Sequence, residues 1–234
     1  MTSLRTERVA LDTGAMDMHV WTPASGHGPG ILLIQEIFGV GAYIRAVAER
    51  LADAGYVVGA PDVFWRFEPN WESEHSPAGL DASLAMVGQL DFPSAIADCV
   101  GALDHLARLP ETDAQPGVLG FCMGGSLAWG VAAQGSPSCC VSYYGSGVAS
   151  MVGMIDAIAC PTLLHFGSDD AYIPMTDVER INTAIAGHDG FILNVEDGGH
   201  AFDNHESEFF FNESAARSAW AKTMAFLATH LGGL

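Results

Sequence analysis

The stretch GVLGFCMGG at residues 117–125 decides the fold, because an apolar run passes through closely spaced glycines into a helical pattern. A strand that turns sharply into a helix forces the residue at the turn into strained backbone geometry, and side chains two positions before and after it would collide. Gly120 and Gly124 leave that room on either side of Cys122. We therefore predict a strand over Gly117–Phe121, a turn at Cys122 and a helix over residues 123–133.

The chemistry of Cys122 follows from its place at this turn. A side chain there stands at the N-terminus of a helix, where the helix dipole and free N–H groups favour a thiolate. Cys122 is therefore a candidate nucleophile, and the backbone N–H of Met123 is a candidate donor to an oxyanion. The alternative is that the turn holds an inert, buried cysteine. A base and an orienting acid elsewhere in the chain distinguish the two.

Short apolar runs alternate with helical patterns on both sides of this turn. The predicted strands cover residues 8–11 and 16–21, which form a hairpin, and then 31–35, 56–60, 117–121, 139–143, 162–166 and 191–195. The predicted helices cover 43–54, 91–109, 123–133, 177–186 and 212–230, and residues 62–79 are predicted to be irregular. This alternation predicts an α/β fold in one domain, residues 1–234, with a mainly parallel sheet, helices on both faces and no lid domain.

Polar residues follow three of the predicted strands, at the carboxyl ends where active sites on such sheets lie. Asp169 and Asp170 follow the strand over 162–166, and His200 follows the strand over 191–195 between small residues. The order nucleophile, acid, histidine is that of α/β-fold hydrolases. From position alone both aspartates remain candidates for the acid, and His200 has the alternative of an ordinary loop histidine.

A further acid, Glu36, follows the strand over 31–35 and is expected to face the same crevice as Cys122. The backbone N–H of Ile37 beside it is a candidate second oxyanion donor. A solvated loop acid is the alternative for Glu36.

Composition limits the partners and the compartment. The chain has 234 residues, and 28 acidic against 9 basic residues give a net charge of −19, which should repel nucleic acid and anionic membranes. No apolar run approaches the roughly 18 residues of a membrane helix, and the N-terminus lacks a secretory apolar region. The five cysteines show no framework or metal-ligand spacing, so we expect free thiols, no metal and a cytoplasmic protein.

Five motifs together resemble the dienelactone hydrolase family (carboxymethylenebutenolidases) of the α/β-hydrolase superfamily, and the resemblance runs nearly end to end. They are QEIFG at 35–39, GFCMGG at 120–125, YYG at 143–145, GSDD at 167–170 ahead of a proline, and GHAF at 199–202. The resemblance implies that Cys122 is the nucleophile, His200 the base and Asp170 the acid. It also implies that Glu36 keeps the thiol uncharged at rest and takes its proton when substrate shifts it.

The chain departs from the family in the residues that hold a substrate carboxylate. Well-studied members use two arginines, but here Asn204 occupies one of those positions and residues 72–90 contain no arginine or lysine. Arg66 is the remaining cation that the sequence places near the site. We predict that the substrate pocket is lined by Arg66 and by three aromatic residues, Phe64, Trp65 and Tyr144. Neutral lactones or esters should therefore be turned over at least as well as carboxylated ones.

The predicted function is hydrolysis of a small lactone or ester through a thioester on Cys122, with no cofactor. We expect a monomer, with a homodimer as the alternative. A non-catalytic ligand receptor is one rival, but a receptor has no need of a cysteine, an aspartate and a histidine together. A thiol redox sensor is the other, and it requires a resolving cysteine, whereas the remaining cysteines all lie in core patterns: Cys99, Cys139, Cys140 and Cys160.

Overall fold

The computed structural model describes residues 2–231; Met1 and residues 232–234, which the predicted domain over 1–234 includes, lie outside the described residues. Eight strands are present: β1 (Ser3–Leu11), β2 (Gly14–Thr22), β3 (Gly30–Ile34), β4 (Val57–Pro61), β5 (Gly117–Phe121), β6 (Cys140–Tyr143), β7 (Thr162–Gly167) and β8 (Phe191–Glu196). Six α-helices accompany them: α1 (Ala42–Asp53), α2 (Pro77–Val87), α3 (Phe92–Ala107), α4 (Met123–Gln134), α5 (Met175–Ile185) and α6 (Glu213–His230).

All eight strands form one sheet in the order β1-β2-β4-β3-β5-β6-β7-β8. The pairs from β4 through β3 and β5 to β8 are parallel, whereas β2 pairs antiparallel with β1 and with β4. The prediction of an α/β-hydrolase fold with a mainly parallel sheet is therefore confirmed. Every residue of β3, β4 and β5 is buried, as expected of parallel strands covered by helices.

The parallel strands bring the candidate residues to one edge of the sheet. Glu36 follows β3, Cys122 follows β5, Asp170 follows β7 and His200 follows β8. Because these strands run in the same direction, their carboxyl ends lie side by side, and the loops beyond them meet above the sheet.

Helix α2, Pro77–Val87, is the main element that differs from the prediction, which left residues 62–79 irregular and assigned no helix until residue 91. Its start is well defined, because Ser76 Oγ accepts a hydrogen bond of 3.1 Å from the N–H of Gly79 and Pro77 occupies the first turn. Only Gly79 and Ser83 of this helix are buried. Helix α2 therefore contributes little to the core.

Among residues 2–231, no helix has the length and the apolar character that crossing a membrane requires.

Candidate active site

The turn between β5 and α4 has the strained geometry that the sequence predicts. Cys122 has φ 54° and ψ −116°, a left-handed conformation that is uncommon outside glycine. A Cβ atom on Gly120 would lie 2.0 Å from the carbonyl oxygen of Gly124, and one on Gly124 would lie 2.3 Å from that of Ile34. Both positions therefore require glycine, and the turn holds the Cys122 side chain above the edge of the sheet.

Cys122, His200 and Asp170 form a continuous hydrogen-bonded chain. The Sγ atom of Cys122 lies 3.1 Å from Nε2 of His200, and Nδ1 of His200 lies 2.8 Å from Oδ2 of Asp170. The other oxygen of Asp170 accepts hydrogen bonds from the backbone N–H groups of Tyr172 at 2.8 Å and Ile173 at 3.0 Å. This carboxylate is therefore fixed in place, whereas its neighbour Asp169 is exposed.

The protonation of His200 depends on these two partners. Burial alone would lower the pKa of His200, but the charges and hydrogen bonds of Cys122 and Asp170 outweigh burial and raise this pKa to about 10. The imidazole ring lies between two aromatic rings, with centroid distances of 5.3 Å to Tyr144 and 5.0 Å to Tyr172. The site therefore favours an imidazolium facing the sulfur atom.

The two predicted oxyanion donors lie on the same cavity wall as Cys122. Met123 is the first residue of α4, and the N–H of a first helical residue has no partner within its helix. Ile37 follows β3, and no hydrogen bond among the described residues uses its N–H. Both groups are therefore free to donate to a ligand oxygen.

Glu36 belongs to a second buried cluster, with His75 and Asn204. Its Oε1 atom lies 2.6 Å from Nε2 of His75 and accepts a hydrogen bond of 2.8 Å from Nδ2 of Asn204. Glu36 lines the same cavity as Cys122, but the sulfur atom pairs with His200 instead. His75 was not anticipated, because it lies in an irregular segment whose sequence carries no recognisable motif.

Cys122, His200 and Glu36 line a cavity of about 220 Å³, called the thiol cavity below. Leu80, Leu84 and Val87 of α2 form one of its walls, and their spacing places them on one face of the helix. That spacing, together with the Ser76–Pro77 start signal, is the feature that could have revealed α2 in the sequence. Among residues 2–231, Glu36 is the one acidic residue that lines the thiol cavity, and no arginine or lysine lines it.

The four predicted substrate-binding residues, Phe64, Trp65, Arg66 and Tyr144, do not line the thiol cavity. Phe64 is fully buried against Phe67, and the side chains of Trp65 and Arg66 both donate to Asp98, with Arg66 making two bonds of 2.7 and 2.8 Å. The cause is the strand order, because β3 separates β4 from β5 and the loop after β4 packs toward the hairpin side. Tyr144 supports the ring of His200 from within the core.

Comparisons with known proteins agree with this geometry. The model of the "Dienelactone hydrolase family" matches residues 16–231. The chain is 32% identical over 231 residues to a carboxymethylenebutenolidase of a Pseudomonas species, with 95% of this chain and 94% of that protein covered. It is 30% identical over 220 residues to carboxymethylenebutenolidase 1 of Cupriavidus pinatubonensis, with 92% of each covered.

Solved structures share the fold. A dienelactone hydrolase from Anabaena variabilis superposes with a TM-score of 0.71 at 18% identity, covering 98% of this chain and 99% of that one. A dienelactone hydrolase-like promiscuous phosphotriesterase from metagenomic libraries superposes with a TM-score of 0.84 at 19% identity, covering 99% of both chains. The family match and the sequence relatives indicate the activity as well as the fold. The chain belongs to the dienelactone hydrolase family and is a carboxylic ester or lactone hydrolase.

Proposed function

We propose that the protein opens a small, neutral lactone or ester by attack of the Cys122 sulfur on the carbonyl carbon, through a thioester acyl-enzyme. The observation that carries the proposal is the 3.1 Å contact between Sγ of Cys122 and Nε2 of His200, inside an apolar cavity. Nucleophilic catalysis requires a nucleophile next to a base that a third group orients, and Asp170 supplies that third group.

The reaction proceeds in two halves. In the first, sulfur bonds to the carbonyl carbon, and the oxyanion that forms accepts hydrogen bonds from the N–H groups of Ile37 and Met123. The carbon–oxygen bond to the leaving group then breaks, and His200 gives its proton to the leaving oxygen. In a lactone, this oxygen stays attached to the acyl chain.

In the second half, His200 takes a proton from water as the water oxygen bonds to the thioester carbon. The carbon–sulfur bond breaks, the acid leaves, and the Cys122 thiolate again faces the His200 imidazolium. Asp170 orients His200 and stabilises its positive charge in both halves. All groups in this scheme belong to the protein, the substrate or the attacking water, so the scheme uses no cofactor.

Glu36 is the fourth catalytic residue of the proposal. It takes the thiol proton when substrate enters, which leaves the Cys122 thiolate facing the His200 imidazolium for the first half, and it returns this proton to the sulfur after the acid has left. Its place on the wall of the thiol cavity supports this role. When the sulfur atom is paired with His200, hydrogen bonds with His75 and Asn204 hold the Glu36 carboxylate.

The preference for a neutral substrate follows from the charges around the cavity. A buried substrate carboxylate needs a cationic partner, and losing such a partner costs about 2–5 kcal/mol, or well over tenfold in affinity. Among the described residues, no arginine or lysine lines the thiol cavity, and Asn204 donates its hydrogen bond to the Glu36 carboxylate. Neutral lactones and esters avoid this penalty.

The redox-sensor alternative requires a second, reactive cysteine that can form a disulfide with Cys122. All five are free among the described residues. Burial raises the pKa of the Cys99 and Cys140 thiols well above the ordinary range and that of Cys139 to about 12, which disfavours the reactive thiolate.

Trapping the acyl-enzyme tests the proposal. After rapid acid quenching of a reaction with 4-nitrophenyl acetate, intact mass spectrometry should show wild-type protein carrying one acetyl group, and peptide mapping should place it on Cys122. Cys122→Ala should show neither the adduct nor turnover, and Cys122→Ser should retain at most a trace of activity. Turnover by the alanine variant at the wild-type rate would contradict the proposal.

A further inference from the structure

A second cavity, of about 180 Å³, adjoins the thiol cavity and is called the side cavity below. The two cavities share three wall residues, Phe38, Leu80 and Phe210. A group that enters the thiol cavity therefore has a neighbouring space to occupy.

The wall of the side cavity indicates the chemistry of its occupant. Pro77 and Phe209 complete its apolar surface, and His75 and Ser76 also line it. Among the described residues, no arginine, lysine or acidic residue does. The side chain of Phe209 is 78% exposed, although leaving a large aromatic side chain in water forgoes the free energy that its burial would provide. An apolar occupant would cover this ring.

Ser207 provides a second, independent sign of a ligand at the side cavity. It lies on the cavity wall, is 1% exposed, and its hydroxyl has no hydrogen-bond partner among the described residues. Buried hydroxyl groups in native proteins normally have a partner, and leaving one without a partner is costly. The Ser207 hydroxyl needs an acceptor, and a single oxygen atom along a mainly apolar acyl chain would supply it.

We propose that the side cavity is a subsite for the acyl chain of the substrate, so that the enzyme prefers neutral esters and lactones with a medium-length apolar acyl group. This inference rests on the proposed function. The leaving oxygen has to face Nε2 of His200 to receive its proton, and neither His200 nor Tyr172 lines the side cavity. We assign the alcohol to the part of the thiol cavity beside His200, and the acyl chain then extends toward the side cavity.

Two ester series test which group occupies the side cavity. For 4-nitrophenyl esters, we expect kcat/KM to rise at least tenfold from butanoate to octanoate, because each buried methylene is worth about a fourfold change. For acetate esters, lengthening the alcohol from butyl to octyl should change kcat/KM less than threefold. A flat acyl series, or a rise confined to the alcohol series, would overturn the proposal.

The three consecutive phenylalanines at residues 209–211 offer a variant that tests the subsite and a matched control for it. Phe209→Asp places a charge at the side cavity and should lower the octanoate-to-butanoate ratio of kcat/KM at least fivefold. Phe211→Asp makes the same change at a residue that is also exposed, at 41%, but lines neither cavity. It should leave the ratio within twofold. Equal ratios in both variants would contradict the subsite.

A binding measurement separates failure of this subsite from failure of the proposed nucleophile. Calorimetric titration of Cys122→Ala with octanamide and butanamide reads the subsite without any turnover. We expect octanamide to bind at least tenfold more tightly, and Phe209→Asp in the same background to remove most of that difference. Equal affinities would overturn the subsite, whereas hydrolysis of the butanoate ester by Cys122→Ala would contradict only the role of Cys122.

Discussion

The Nε2 atom of His75 lies 2.6 Å from the Oε1 atom of Glu36, so the cavity that contains the Cys122 thiol also contains a buried carboxylate held by another partner. Asn204 donates to the same oxygen. A carboxylate that is held in this way repels a nearby thiolate less than one that is free to approach it. The pair therefore bears directly on how reactive Cys122 is before substrate arrives.

We predict that His75→Ala slows the alkylation of Cys122 by iodoacetamide about threefold or more and lowers kcat. With His75 removed, the Glu36 carboxylate can approach the sulfur atom, and its charge disfavours the thiolate. The labelling rate without substrate, followed by mass spectrometry, measures the effect.

The double variant His75→Ala/Glu36→Gln is the control for this prediction, because it removes the charge that the single variant releases. It should restore the labelling rate to near the wild-type value. If the single variant labels as fast as wild type, the contact between His75 and Glu36 has no influence on Cys122.

We predict that Asp170→Asn lowers kcat at least about 100-fold, because an amide cannot stabilise the imidazolium and favours the wrong tautomer of His200. Asp169→Asn is a matched control one residue away, on a side chain that is exposed. It should keep kcat within about twofold. Steady-state kinetics with 4-nitrophenyl butanoate compares the two variants. The reverse ranking would mean that Asp169 is the acid.

We predict that the stabilising contribution of His200 declines as pH rises from about 6.5 to about 10. The pKa of His200 is ordinarily about 6.5, and Cys122 and Asp170 outweigh the opposing effect of burial to raise it to about 10 in the folded protein. Folding therefore favours the protonated form, whose contribution is complete below about pH 6.5 and is lost as the folded protein titrates.

Urea denaturation of wild type and His200→Gln across this pH range measures that contribution. The difference between their free energies of unfolding should shrink with increasing pH. A difference that grows between pH 6.5 and 10 would show that the folded protein holds the neutral imidazole instead.

We predict that Arg66→Ala leaves KM unchanged within about twofold for both neutral and carboxylated lactones, because the guanidinium binds Asp98 and Thr13 away from the thiol cavity. It should instead lower the free energy of unfolding by about 1–3 kcal/mol, since the buried Asp98 carboxylate loses a charged partner. A higher KM for carboxylated substrates alone would show that Arg66 reaches the substrate after all.

The parts of this protein that sequence predicts well are those that local geometry dictates. The turn at Cys122 requires glycine at positions 120 and 124, because a Cβ atom at either position would clash with a backbone carbonyl oxygen. The parallel strands are mainly apolar runs, so their carboxyl ends and the residues that follow them could be placed in order along the chain. The contacts of Cys122, His200 and Asp170 then follow from the fold.

The parts that sequence predicts poorly depend on strand order and on packing at a distance. Phe64, Trp65 and Arg66 follow a strand, as the proposed catalytic residues do. That strand is β4, which does not neighbour β5, the strand that leads to Cys122, because β3 lies between them. Helix α2 was missed because its apolar side chains face a cavity and its interior face carries small residues. His75 gains its partner only through tertiary contact.

Helix α2 joins the molecule through few buried residues, and Leu84, one of its cavity-lining side chains, is 51% exposed. Substitutions on this face alter the shape of the thiol cavity while leaving the sheet, the turn at Cys122 and the hydrogen bonds of His200 untouched. Mutation can therefore explore new substrates here at little thermodynamic risk, since changes at positions outside the core usually cost within about 0.5 kcal/mol. Divergence of specificity within such an architecture should be concentrated in this one helix, and directed evolution of the enzyme would best begin with its codons.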